Sequence, residues 1–165
     1  MKDPEQQFLR AYDQFADAIF RHCYFRVSNP ELAKDLMQET FVRTWRYITQ
    51  GKVVENMRAF LYRTANNLII DQYRKKKELS LEGLQEKGAS FSSKDRQYIN
   101  INAANDALKM LERLRPGYKE IIIMRYIDEL SPKEIARILG ETENNVYVKI
   151  HRALEDLRKI LNENN

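Results

Sequence analysis

Residues 131–158 read SPKEIARILGETENNVYVKIHRALEDLR, and this stretch decides the fold. Ser131 followed three residues later by Glu134 is a capping box, in which the hydroxyl accepts from a free backbone N–H and the carboxylate reaches back. Pro132 suits a first helical position. The spacing predicts a helix over 132–139, stopped by Gly140, and a second helix that Thr142 caps and that runs to about 161. Ile135, Ala136 and Leu139 are expected to pack the first of these helices. Val146, Ile150, Leu154 and Leu157 are expected to pack the second. Small Ala136 lets the two helices cross closely. A capped short helix, a glycine turn and a capped second helix make a helix-turn-helix. Its second helix exposes Asn144, Asn145, Tyr147, Lys149 and Arg152. In a major groove, Asn and Arg read base edges, and Lys and Arg hold phosphates. Taken by itself, the segment also fits an ordinary helical hairpin.

Working outward, the helical period continues in both directions and no strand is needed. Upstream, Leu108, Leu111 and Leu114 line one face of a helix that starts near 103. Pro116-Gly117 breaks the chain, and a strongly apolar helix over 117–127 carries Ile121, Ile122, Ile123 and Met124. Residues 78–100 change character, with two glycines, several serines and weak periodicity, and read as a linker. Before it, Phe8, Tyr12, Phe15, Ile19 and Phe20 recur at helical spacing over 5–27. Ser28-Asn29-Pro30 ends that helix and starts the next, whose stripe is Leu32, Leu36, Phe41 and Trp45 up to a stop at Gly51. A third helix spans about 55–77. The reading is an all-α protein of two small helical domains, 5–77 and 103–161, joined by a flexible linker at 78–102.

Composition agrees and excludes several classes. Hydrophobic residues are 43% and charged residues 32% of the chain, a globular balance rather than a disordered one. Cys23 is the single cysteine, so no internal disulfide is possible. With His22 and His151 it makes three ligand-type residues, fewer than the four a structural zinc usually needs, and no metal or other cofactor is expected. The opening MKDPEQQF lacks the apolar region of a secretory signal, and no apolar run is long enough for a membrane span. A cytoplasmic location, with no membrane partner, is therefore expected.

Two further segments carry charge patterns. Between Arg58 and Lys77 stand six basic residues (Arg58, Arg63, Arg74, Lys75, Lys76, Lys77) and one acid, Asp71. This segment carries a net +5, more than the +4 of the whole chain, so the remainder is slightly acidic. Phe60, Tyr62 and Tyr73 interleave the cations. Cations with aromatic faces suit unpaired bases, which stack while their backbone is neutralised. A solvated charge run at a helix C-terminus would look the same. Asp35, Gln38 and Glu39 fall near one face of the second helix. They suit a basic helical partner, and equally an ordinary exposed face.

In this order the segments resemble the sigma-70 family. AKDLMQETFVRTWRYI, residues 33–48, resembles its region 2.2. RAFLYRTANNLIIDQYRKKK, residues 58–77, is similar to regions 2.3 and 2.4, and residues 111–161 are similar to region 4. The absence of room for the other domains of the large members points to the small extracytoplasmic-function group. The resemblance implies a sigma factor that gives core RNA polymerase its promoter recognition and strand opening, and no enzymatic activity of its own. It implies that Asp35, Gln38 and Glu39 dock on the clamp helices of the largest subunit. Asn67 would hold a flipped base of the −10 element, with Arg63, Asn66, Arg74, Lys75, Lys76 and Lys77 guiding the non-template strand. Asn144, Asn145, Tyr147, Lys149 and Arg152 would lie on the helix that reads the −35 element. The second domain would also meet the flap of the second-largest subunit, and the linker would thread toward the RNA exit path. An anti-sigma factor is a further implied partner.

The sequence also departs from the family pattern. Where many members read Gly-Thr-Val-Lys-Ser-Arg-Leu, this chain reads Asn144-Asn145-Val146-Tyr147-Val148-Lys149-Ile150, and Phe60 stands at a frequent Trp. The −35 sequence therefore does not carry over from relatives. Two alternatives stay open. One is a sigma-like factor brought to DNA mainly by another protein. The other is a plain helix-turn-helix operator binder, against which the chain offers no sustained heptad for a dimer seam.

Overall fold

The computed structural model describes residues 3–81 and 101–163. The chain divides into two compact units, Met1–Asp95 and Arg96–Asn165. All regular structure among the described residues is helical.

The first unit is built from α1 (Pro4–Val27), α2 (Pro30–Thr49) and α3 (Met57–Leu81), each packed on the other two. Short polar side chains set the boundaries. Asp3 accepts from the Glu5 N–H at 3.1 Å, and Asn29 accepts from the Leu32 N–H at 3.1 Å, each one residue before a proline at the first helical position. Asn56 does the same for α3, accepting from the Ala59 N–H at 3.0 Å. Ser28 ends α1 in the left-handed conformation, and Gly51 follows α2 at φ +78, where a side chain would be strained. The core joins Ile19, Phe20 and Cys23 of α1 to Ala33, Met37 and Phe41 of α2 and Leu61, Ala65 and Ile69 of α3. Thr40 and Thr44 are also buried, and their hydroxyls donate to carbonyls one turn back, at 2.7 and 2.8 Å.

Two expectations need correction here. Helix α3 continues to Leu81 instead of ending at 77, because Lys75 to Leu79 are helix formers and no Gly or Pro follows before Gly83. The expected linker thus begins and ends in helix, and its residues 82–100 lie outside the described residues. The α1 and α2 stripes are also not core along their whole length. Tyr12 and Trp45 are 39% and 38% exposed, because they line the open side of the α1–α2 contact with Leu9 and Val42.

The second unit comprises α4 (Ile101–Glu112), α5 (Pro116–Ile122), a π-helical turn (Ile123–Ile127), α6 (Pro132–Leu139) and α7 (Glu143–Glu163). The expected break falls between Glu112 and Pro116, and Pro116 starts α5, since a proline at the first position sacrifices no helical hydrogen bond. The expected plain helix over 117–127 widens at Ile123, where the Asp128 N–H reaches back five residues to the Ile123 carbonyl at 2.9 Å. Ile121, Ile122, Ile123 and Met124 are all buried. Four successive residues nearly circle an α-helix, so this segment is enclosed on all sides. Around it pack Leu108, Leu111 and Leu114, then Leu130, Ile135 and Ile138, then Val146, Ile150, Ala153 and Ile160.

Both halves of the capping box form. The Glu134 N–H donates to the Ser131 hydroxyl, and the Ser131 N–H donates to the Glu134 carboxylate, each at 3.1 Å. Gly140 turns the chain at φ +67, and the Glu141 N–H closes the turn on the Ala136 carbonyl at 3.0 Å. Thr142 then accepts from the Asn145 N–H at 3.1 Å to start α7. The inward face differs in detail from the sequence expectation. Ile138 is buried where Leu139 was expected, and Leu154 and Leu157 are half-buried while Ala153 and Ile160 take the inner positions.

Candidate nucleic-acid and docking surfaces

In the first unit, α3 presents Arg63, Asn67, Ile70 and Arg74 to solvent. Their spacing of four, three and four residues puts them on one stripe. Lys75, Lys76 and Lys77 extend the positive charge and are exposed as well. Arg74 stands at the long distance of 3.9 Å from Asp71, with both side chains largely in solvent. Such a pair withholds little of the arginine's charge.

Asn66 does not join this stripe. It is 2% exposed, and its Oδ1 accepts from Arg26 Nη1 at 2.8 Å. A buried guanidinium must be compensated by acceptors, and a buried amide must bond. Asn66 therefore ties α3 to the end of α1 and is withdrawn from strand contact. The Tyr73 hydroxyl donates to the backbone carbonyl of the same Arg26, a second tie between these helices. The interleaved aromatics are also redistributed. Tyr62 is buried edge-on to His22 at 5.3 Å, and Phe60 is half-buried against Tyr47 at 4.8 Å. Tyr73 keeps an exposed ring. Burial also raises the Tyr24 phenol above its ordinary pKa.

On α2, Asp35 and Gln38 are exposed and Glu39 is half-buried, accepting from Arg43 Nε at 3.2 Å. The three residues do not share one groove. Asp35 and Glu39 line a polar groove toward α3, together with Asp71, Arg74, Lys75 and Glu78. Gln38 lines a groove toward α1, with Glu5, Phe8, Leu9, Tyr12, Val42 and Trp45. Leu9, Tyr12, Val42 and Trp45 lie between 38% and 51% exposed, a concentrated apolar patch. Sequence reading missed Leu9 and Val42 altogether and placed Tyr12 and Trp45 only on the helical stripes. The available signal was that α2 carries apolar or long side chains at 38, 42 and 45, a second stripe beside the buried one.

In the second unit, Asn144, Asn145, Tyr147 and Arg152 are exposed on α7. Val148 and His151 are exposed among them. His151 Nε2 stands 3.2 Å from Glu155, one turn on. Lys149 differs from its neighbours: its ammonium is paired with the carboxylate of Glu141 in the turn. Among the described residues, no helix is long and apolar enough to cross a membrane.

Comparison with known proteins matches two stretches of the chain to family descriptions. Residues 11–78 match Sigma-70 region 2, and residues 104–157 match Sigma-70, region 4. The chain is 31% identical to the ECF RNA polymerase sigma factor SigW of Bacillus subtilis, over 98% of this chain and 92% of that protein. It is 29% identical to the RNA polymerase sigma factor YlaC of the same organism, over 90% of this chain and 88% of that protein. Among solved structures, the sigma factor RpoE in complex with the anti-sigma factor NepR from Bartonella quintana shares the fold. Its TM-score is 0.78 at 22% identity, covering 95% of this chain and 98% of that one. CnrH, solved with the cytosolic domain of CnrY, gives a TM-score of 0.70 at 23% identity, over 98% and 91% of the two chains.

Proposed function

This chain belongs to the sigma-70 family, in its group of extracytoplasmic-function RNA polymerase sigma factors, and from that premise we propose how its surfaces divide the work of initiation. The α2 face docks core polymerase on the clamp helices of the largest subunit. Asp35 and Glu39 meet basic side chains there, and Gln38 extends the contact over the apolar patch of Leu9, Tyr12, Val42 and Trp45. The α3 stripe takes the non-template strand at the −10 element. Asn67 holds a flipped base, and Arg63, Arg74, Lys75, Lys76 and Lys77 neutralise phosphates. Asn66 is left out of this set because Arg26 occupies it. On α7, Asn144, Asn145, Tyr147 and Arg152 face the −35 element, while the second unit meets the polymerase flap.

The observation that carries this reading is the exposed stripe of Arg63, Asn67, Ile70 and Arg74, a hydrogen-bonding amide between cations with an apolar side chain beside it. Opening proceeds by capture. Extruding a base costs a few kcal/mol, and a protein pocket that bonds and stacks it returns about 1–3 kcal/mol per base. Core polymerase holds both units on one promoter, so two weak contacts combine through effective concentration. Nucleotide addition belongs to the polymerase, and the chain contributes no catalytic group of its own. It acts where the polymerase acts, in the cytoplasm. An anti-sigma factor, of the kind seen with RpoE and CnrH, is proposed as a regulatory partner.

The test is Asn67→Ala. Core binding by the variant should match wild type, while permanganate reactivity of the −10 region in the holoenzyme falls about tenfold, the value of one lost polar contact. Normal opening by Asn67→Ala would remove the base-pocket assignment. The pairing of Lys149 with Glu141 favours a second reading, in which −35 contacts are weak and another DNA-bound protein contributes to targeting. Transcription that survives a scrambled −35 only in the presence of such a protein would support it.

A further inference from the structure

Four of the five residues assigned to the −35 face point into solvent, and the fifth, Lys149, does not have its charge at liberty. Glu141 sits in the turn between α6 and α7, with its own N–H fixed to the Ala136 carbonyl at 3.0 Å. From there its Oε1 takes the Lys149 ammonium, about two helical turns into α7. Long side chains on a helix lean toward its N-terminus, so the lysine reaches back to the turn without strain. The pair is not an ordinary surface pair. The glutamate side chain is 27% exposed and the lysine 39%, and Glu141 Oε2 is fully buried with no hydrogen-bond partner. A half-buried carboxylate with one orphan oxygen depends on its single cation, because removing that cation leaves an uncompensated charge out of water. Lys149 is therefore held more firmly than the median exposed pair would hold it.

We propose that Glu141 is a specificity-determining residue of the DNA-reading helix. It withholds Lys149 from phosphate, so that α7 binds duplex DNA through the Asn144 and Asn145 amides and Arg152 rather than through indiscriminate charge. The inference rests on the assignment of α7 to DNA made above. Phosphate contacts strengthen binding to every sequence alike, whereas amides and guanidinium read base edges. A lysine neutralised from within lowers the first term and spares the second, which widens the gap between right and wrong sequences. The N-terminal end of α7 also carries Glu143, so the turn that meets the groove is net acidic apart from Arg152 and Lys149.

The experiment measures binding of the full chain to a fluorescent duplex of mixed sequence by anisotropy over a series of KCl concentrations. Glu141→Gln keeps the shape of the side chain and removes its charge. It should tighten binding about fivefold at low salt and steepen the plot of log K against log salt by about 0.9, the signature of one added phosphate contact. Adding Lys149→Gln to Glu141→Gln should cancel the whole gain, because the double variant has neither the carboxylate nor the cation it would release. Circular dichroism of each variant checks that α7 stays helical, and Glu141→Ala provides a second variant with the same expected gain. Unchanged or weaker binding by Glu141→Gln overturns the proposal. Weaker binding would mean that the carboxylate orients Lys149 onto DNA. A gain that persists in the Glu141→Gln, Lys149→Gln double variant overturns it too. Arg152→Ala tests the underlying assignment separately. It should weaken binding several-fold, and wild-type affinity in that variant would remove α7 from the DNA face whatever Glu141 does.

Discussion

Helices α3 and α7 both carry basic residues toward nucleic acid, but the two helices dispose of that charge in opposite ways. On α3, Arg74 to Lys77 stand in solvent, and the pair of Arg74 with Asp71 is long, at 3.9 Å. On α7, Lys149 is bound by Glu141 and His151 lies beside Glu155. The number of cations in a sequence is therefore a poor guide to the charge a surface offers. A surface built to trap an extruded strand benefits from a broad positive field, because the captured bases supply the discrimination. A surface built to recognise intact duplex benefits from little of it.

The largest expected effect breaks this contrast at α3. Replacing Arg74, Lys75, Lys76 and Lys77 together with Gln should weaken single-stranded DNA binding about a hundredfold at low salt and flatten its salt dependence by about 2.8 in log–log slope. Titration of a labelled single strand over KCl reads both. A slope unchanged from wild type would mean that the run is solvated and does not touch phosphate.

The next effect sharpens the difference between two adjacent residues of α3. Asn66→Ala leaves the buried Arg26 without its amide acceptor and should destabilise the first unit by about 1–3 kcal/mol in urea unfolding. Asn67→Ala, at an exposed position, should stay within about 0.5 kcal/mol of wild type. Equal losses from both would show that the tie between α1 and α3 contributes nothing. A smaller effect concerns the second unit. Ser131→Ala removes one half of the capping box and should cost about 1 kcal/mol, seen as an earlier urea midpoint for that unit alone. The smallest lies at alkaline pH. Burial raises the Tyr24 pKa above 10.0, so its contribution is fully present below pH 10.0 and is lost as pH rises through the folded-state value. Tyr24→Phe should flatten the alkaline decline in stability of the first unit, and an unaltered decline would assign it to other groups.

Much of the fold was legible because local chemistry marks its boundaries. Asn29, Ser131 and Thr142 each cap a helix in the structure, and Gly51 and Gly140 each adopt a positive φ after one. These are one-residue signals that need no knowledge of tertiary packing. The end of α3 was not legible, because Glu78 to Leu81 contain no breaker. The π turn at Ile123 was hidden as well, since a run of four apolar residues has no periodicity to shift.

The sites were less legible than the fold. Asn66 and Asn67 are chemically identical neighbours about 100° apart on the helix, and only the phase of α3 against Arg26 separates them. Trp45 and Tyr12 share helical stripes with buried residues, and only the packing of α1 on α2 shows that they line an exposed groove. The tie between Glu141 and Lys149 spans a turn and two helical turns, beyond the three- and four-residue spacings that sequence reading tests.

The central claim is that this chain directs polymerase to promoters. It is tested most directly by adding the purified chain to core RNA polymerase on fragmented genomic DNA and mapping transcript 5′ ends. The account expects discrete new starts that share an upstream motif. An absence of new starts, together with no association between the chain and core polymerase, would contradict it.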